Sequence, residues 1–294
     1  MARPRSSRWT PWVFLAPALV LIGVFFLLPV TAAFLLSVTD FDLYALADRS
    51  VVRFVGLGNY SNLLSNPDFV RALRNTFYFV MVGGPLSIVA SLGAALLVSA
   101  KLAPYKSFFR TVYFAPVVTT LVAVAVVWRY MLNTRYGLLN YALGGLGIAP
   151  VDWLGDPAWA MPAIIIMAVW KNFGYNMVIF VAGLQNIPAD LYEAAELDGA
   201  KAWHRFRHVT LPMLRPTLLF VSVITLIGYF QLFAEPYVMT QGGPSKSTQS
   251  IVLLMYEEGF RWWRMGNAAA IAFVLFAIML VGTALQLLLR RGEE

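Results

Sequence analysis

Charged residues are so sparse in this chain that the gaps between them dictate what it can fold into. Between Arg8 and Asp40 lie 31 consecutive uncharged residues, and between Arg74 and Lys101 lie 26. Arg110 to Arg129 encloses 18, Arg215 to Glu235 encloses 19, and Arg264 to Arg290 encloses 25. A sixth apolar stretch, 158–184, is interrupted only by Lys171. A helix needs ~20 apolar residues to cross a bilayer, so these intervals predict six transmembrane helices. Hydrocarbon offers the backbone no hydrogen-bond partners, which leaves helices as the way for such separate segments to cross. The composition agrees: 60% of the residues are hydrophobic and 13% charged, against about half and about a quarter in soluble domains. A water-soluble globule built from this chain would expose large apolar patches, so soluble enzymes and disordered tails are excluded. The expectation is an all-α, polytopic membrane protein.

The first apolar run, from Trp12 to Leu36, exceeds the ~7–15 residues of a cleaved signal core, so it reads as a retained first helix. Six spans place both termini on one side. The N-terminus, 101–110, 185–215 and the C-terminus carry twelve of the basic residues in short segments. The three longer opposite loops (about 38–73, 130–157 and 236–264), counted with Arg74 and Arg129 at their edges, carry nine. That bias predicts a cytoplasmic-membrane protein with both termini in the cytoplasm. It also assigns the net charge of +7 to loops rather than to a nucleic-acid surface. With no cysteine in the chain, disulfide frameworks and thiolate chemistry are excluded.

Catalytic patterns are weak. The segment Gly242-Gly243-Pro244-Ser245-Lys246-Ser247 lacks the glycine that precedes the lysine in a phosphate-binding loop, and reads as an exterior turn. His204 and His208 have a spacing suited to a metal, but Arg205 stands where zincins carry glutamate. They read as part of a basic surface. No catalytic residue, metal site or bound cofactor is expected, and the chain is not expected to be an enzyme.

Two constellations stand out. Lys171 lies inside a hydrophobic run, where a lysine costs ~2.5–3.5 kcal/mol on insertion scales and needs a polar cavity or partner. Asn172, Tyr175 and Asn176 are its neighbours, and Tyr229, Gln231 and Glu235 make one half of the fifth span polar. This cluster either lines a translocation path or bonds helix to helix. The second constellation is the loop 185–215. Asp190 as N-cap with Glu193 three residues on would form a capping box, opening a helix that ends at Gly199 in the left-handed conformation. A second short helix would follow, with Trp203, Phe206 and Thr210 on one face, until Leu211-Pro212. Two short helices hung between spans suit docking into a groove on a cytoplasmic partner.

Here the sequence resembles a family. Glu193-Ala194-Ala195, three residues, Gly199, nine residues, then Val209-Thr210-Leu211-Pro212 is similar to the EAA loop of inner-membrane permease subunits of binding-protein-dependent ABC importers. Val209 stands where isoleucine is usual. Phe54-Val55-Gly56-Leu57-Gly58-Asn59-Tyr60, Asn75-Thr76, Gly183-Leu184-Gln185-Asn186-Ile187-Pro188, Asp198-Gly199-Ala200 and Thr240-Gln241-Gly242-Gly243-Pro244 resemble its sugar-uptake branch, typified by the maltose and glycerol-3-phosphate permeases. The resemblance covers nearly the whole chain, which looks like a minimal six-helix member.

The resemblance implies a type I ABC importer permease fold, with 1–70 as N-terminus, first helix and first outer loop, 71–289 as permease core, and 290–294 as tail. It implies assembly with a second homologous permease, two ATP-binding subunits holding ATP and magnesium, and an extracytoplasmic sugar-binding protein. Glu193, Ala194, Ala195, Asp198, Gly199, Trp203, Phe206, Leu211 and Pro212 would then couple to the ATPase, and a sugar would cross the membrane. Two rivals are an ion-coupled secondary transporter and a membrane-embedded enzyme or scaffold. The absence of paired intramembrane carboxylates argues against the first, and histidines outside the spans argue against the second.

Overall fold

A computed structural model describes residues 9–100 and 105–291. Arg3, Arg5, Arg8, Lys101 and residues 292–294, which enter the charge argument or the expected tail, lie outside the described residues. Among the described residues all regular structure is helical except one isolated antiparallel bridge between Thr39 and Phe54. The chain divides into two compact units, one running to Asn66 and including Met255–Val274, the other comprising Pro67–Leu254 and the residues from Leu275.

In the first unit, helix α1 (Pro11–Ser37) is followed by a turn that folds back on its end. Its last carbonyls have no partner within the helix. The Asn59 amide, on the short helix α2 (Gly58–Ser65), donates to both Ser37 O and Thr39 O at 2.8 Å. The hydroxyls of Tyr60 and Ser37 meet at 2.8 Å. Gly-Leu-Gly-Asn-Tyr is thus a fastener for the end of the first helix. Gly266 N–H donates to Phe41 O at 3.0 Å, and Phe34 packs edge-on against Phe273 at 5.3 Å.

The second unit is built on α3 (Pro67–Ser99) and α6 (Pro157–Gln185), with α4 (Lys106–Val118) and α5 (Leu121–Met131) between them in sequence. Buried Val80, Gly83, Ser87, Ser91, Ala95 and Val98 recur every three or four residues on α3. Small side chains on such a stripe let helix backbones approach closely in a membrane. On α6, Ala160, Ala163, Met167, Lys171, Gly174, Met177 and Val181 are buried. Ala95, Met177, Phe180 and Val221 join α3, α6 and α8 (Arg215–Phe230) in one apolar cluster.

The third span departs from expectation. Instead of one helix over the interval from Arg110 to Arg129, α4 and α5 meet at an angle of 97°. Pro116 sits in the last turn of α4, and Thr119 and Thr120 are extended, with ψ of 149° and 138°. The proline removes a helical donor, and the Thr119 hydroxyl takes up Pro116 O at 2.6 Å. The fifth span is also interrupted: α8 ends at Phe230 and α9 (Ala234–Met239) restarts the helix. Counted with the bent pair as one, the apolar spans among the described residues number six, the last within α10 (Met265–Arg291).

The Asn75-Thr76 segment fastens to the residues just after Thr240–Pro244, at 246–251. The Asn75 amide donates to Lys246 O at 2.9 Å and Gln249 O at 3.0 Å. Ile251 N–H donates to the Thr76 hydroxyl at 2.9 Å, and Lys246 Nζ meets Asp68 at 2.6 Å. Asn75→Ala would strip donors from two carbonyls, loosening the 240–250 loop by about 1–3 kcal/mol. Limited proteolysis in membranes should therefore cut this loop at least about fivefold faster than in the parent. An unchanged rate would mean the loop is held elsewhere.

Candidate functional site

Both helix interruptions border one cavity of about 480 Å³. Val117 and Leu121 flank the first break, and Gln231, Leu232, Phe233, Ala234 and Glu235 form the second. Asn172, Tyr175 and Asn176 face it from α6, and Ile224, Thr225, Gly228 and Tyr229 from α8. Non-helical backbone at membrane depth is tolerated where it is buried in protein or lines a cavity, so the coincidence of breaks and cavity is physically consistent. The volume falls within the ~300–1,000 Å³ range of small-molecule sites.

Six of the seven expected path residues therefore meet: Asn172, Tyr175, Asn176, Tyr229, Gln231 and Glu235. Asn176 Nδ2 donates to Thr225 Oγ1 at 3.0 Å, and the Asn172 amide donates to Ala168 O one turn back. The Tyr229 ring stacks on Phe79 with centroids 5.0 Å apart. Glu235 is buried. Lys171 is the exception. Its ammonium does not border the cavity but donates to Val117 O at 3.1 Å. Residues i and i+1 on a helix point about 100° apart, so adjacency to Asn172 did not place Lys171 on the same face. Phe79, Val117, Leu121, Thr225 and Phe233 were missed, because apolar and hydroxyl residues inside spans carry no signal that separates cavity from packing.

The loop between α6 and α8 forms two short helices, α7 (Ala189–Leu197) and a second over 202–213 that contains a π turn at Phe206–Thr210. The expected capping box is absent. Pro188 occupies the N-cap position with no side-chain bond, and Asp190 lies in the first turn. The helix starts two residues early because Pro188, at φ −57° and ψ 134°, already turns the chain into it. Asp190 then acts on the positive helix end as a charge rather than as a cap. Glu193, freed from capping, lines a groove of about 900 Å³ with Tyr192, Glu196, Trp203, Arg205 and Phe206.

Gly199 has φ +75°. Its N–H donates to Glu196 O at 3.0 Å and Ala200 N–H to Ala195 O at 2.9 Å. These are the two bonds of a Schellman motif, with Ala195 three positions before the cap and Gly199 just after it. The second alanine of the EAA triplet and the glycine four residues on are thus the two ends of one hydrogen-bonded helix stop. Asp198 is the C-cap, and Ala194 O accepts from its N–H.

The Tyr192 hydroxyl meets Thr210 Oγ1 at 2.9 Å, and Arg205 pairs with Glu196, so the two short helices are tied at two points. Trp203 and Phe206 rings lie 5.5 Å apart, but Trp203 is 66% exposed while Thr210 is buried. The expected single face of Trp203, Phe206 and Thr210 is therefore split between solvent and core. Leu211 and Pro212 continue the second helix, half-buried. His204 and His208 rings stack 5.9 Å apart on its exposed side.

Residues 87–293 match the family described as binding-protein-dependent transport system inner membrane component. The chain belongs to this family. Members are multi-pass inner-membrane permeases of ABC importers that work with a binding protein, and the chain is such a transport permease. The chain is 38% identical to the lactose transport system permease protein LacF of Rhizobium radiobacter, over 96% of this chain and 94% of that one. It is 35% identical to the trehalose/maltose transport system permease protein MalF of Thermococcus litoralis, over 94% and 92%. A bacterial ABC transporter involved in importing the acidic polysaccharide alginate shares the fold, with a TM-score of 0.80, 23% identity, and coverage of 96% and 95%. The all-α permease fold expected from the sequence is the one this chain adopts.

Proposed function

We propose that this permease passes a sugar or short oligosaccharide through the cavity between α6, α8 and the two broken spans. The observation that carries the reading is the cavity wall. Amides from Asn172, Asn176 and Gln231, hydroxyls from Tyr175 and Thr225, and the ring of Phe233 line one space. Sugars bind through hydroxyl hydrogen bonds to such groups and through C–H contact with aromatic faces. The transport systems named for the relatives carry lactose and trehalose or maltose, which supports a saccharide over other small solutes.

The permease works with a second homologous permease, two ATP-binding subunits that hold ATP and magnesium, and an extracytoplasmic sugar-binding protein. Both termini and the 185–215 loop face the cytoplasm, and 71–289 forms the permease core. Glu193, Trp203 and Phe206 in the groove, with Ala194, Ala195, Asp198 and Gly199 at the helix stop and Leu211-Pro212 behind them, carry the closing motion of the ATPase subunits into the spans. Alternating access at the cavity follows from that motion.

The test is uptake of radiolabelled disaccharides by membranes carrying the assembled transporter. Asn176→Ala removes one sugar-facing amide, worth about 0.5–1.5 kcal/mol. Uptake should fall about three- to tenfold, with ATPase copurification unchanged. Parental uptake by Asn176→Ala and by Asn176→Ala with Asn172→Ala, for every sugar accepted, would reduce the cavity to helix packing.

A further inference from the structure

Lys171 sits fourteen residues from either end of the 29-residue α6, so about 21 Å of helix separates it from each terminus. That is too far for its ammonium to snorkel to an interface. It has instead a specific acceptor. The final carbonyls of α4 have no helical partner because the helix stops at Val118. Thr119 Oγ1 serves Pro116 O at 2.6 Å, and Lys171 Nζ serves Val117 O at 3.1 Å. A cation at a helix C-terminus also meets the negative end of the helix dipole.

A second contact holds the same segment one turn away. Gly174 packs against the backbone of Tyr113 and Phe114, where any Cβ would collide with the Tyr113 carbonyl. The rings of Tyr113 and Phe173 meet edge-on at 5.7 Å. Moving forward along α6 from Lys171 to Gly174 means moving back along α4 from Val117 to Tyr113, as antiparallel helices require. Beyond this clamp lie Val117 and Leu121, both in the cavity wall.

We infer that Lys171 is a positioning residue: it pins the broken end of α4 and so sets the Val117–Leu121 wall of the cavity, without touching the transported molecule. The inference rests on the reading of the cavity as the transport path. Losing the pin frees the break at Thr119–Thr120, and the wall no longer holds one position.

The chain has no native cysteine, so spin labels can be placed at Val118→Cys and Ile166→Cys, both exposed positions, in the assembled transporter in nanodiscs. With Lys171 the distance distribution is narrow. Lys171→Met should widen it by at least half and lower uptake about tenfold, as expected for loss of a charge-assisted hydrogen bond. Lys171→Arg, which keeps charge and donor, should restore both. Lys171→Gln, too short to reach Val117 O, should behave as Lys171→Met and serves if the methionine variant fails to reach the membrane. Reduced uptake with an unchanged distance distribution would make Lys171 a contact for the transported molecule and overturn the inference, as would parental behaviour of both uncharged variants. If Asn176→Ala leaves uptake untouched while Lys171→Met still broadens the distances, the sugar path fails and the pin stands.

Discussion

Gly199→Val should insert and assemble its spans normally yet lose at least about tenfold of ATP-linked uptake. The reason is confined to the backbone. No heavy atom lies within 4 Å of where a Cβ would stand, so bulk meets nothing, but φ is +75°. A side-chain-bearing residue there costs roughly 1–2 kcal/mol, and a β-branched one more. Relieving that strain breaks the bonds from Gly199 to Glu196 and from Ala200 to Ala195, which tilts the second helix and moves the exposed Trp203. Asn tolerates the left-handed region, so Gly199→Asn should keep most activity, with Gly199→Ala between the two. The check is copurification of the ATPase subunit together with sugar uptake in the same membranes. Equal activity of all three variants would show that the loop is a simple connector.

Glu235→Lys should abolish measurable uptake and lower the amount of protein in the membrane. It exchanges a buried carboxyl side chain in the cavity wall for a cation, and a lysine at membrane depth costs ~2.5–3.5 kcal/mol. A loss of at least about a hundredfold follows from that cost. Glu235→Gln keeps shape and hydrogen bonding, so it should insert fully and lose far less transport. Immunoblotting of membranes separates insertion from uptake.

The spans were legible because the penalty for charge in hydrocarbon writes itself into the sequence as long uncharged intervals. The breaks were not. The stretch from Val117 to Val127 is apolar but for two threonines, and such a run suits a straight helix as well as a bent one. Pro116 with Thr119 and Thr120 was a usable local signal, but the pin that holds the bend comes from Lys171, 54 residues away in sequence. The Gly199 stop was readable because few residues other than glycine accept its conformation. The misplaced cap at Asp190 arose because aspartate is a strong N-cap former, while Pro188 had already set the entry into the helix. The fasteners at Asn59 and Asn75 carry no local signature, since each amide bonds carbonyls distant in sequence.

The helix stop at Gly199 also explains what kind of information the loop's most recognisable spacing holds. Its two bonds close rings of fixed size between Ala195 and Ala200 and between Glu196 and Gly199. Ring closure counts backbone atoms and ignores most side chains. One residue added or removed between Ala195 and Gly199 would put the wrong amide opposite each carbonyl, whereas Leu197, 90% exposed, can change identity without disturbing either ring. The spacing is therefore a ruler made of peptide units, and the side chains hung along it are left free to be matched to the surface they meet.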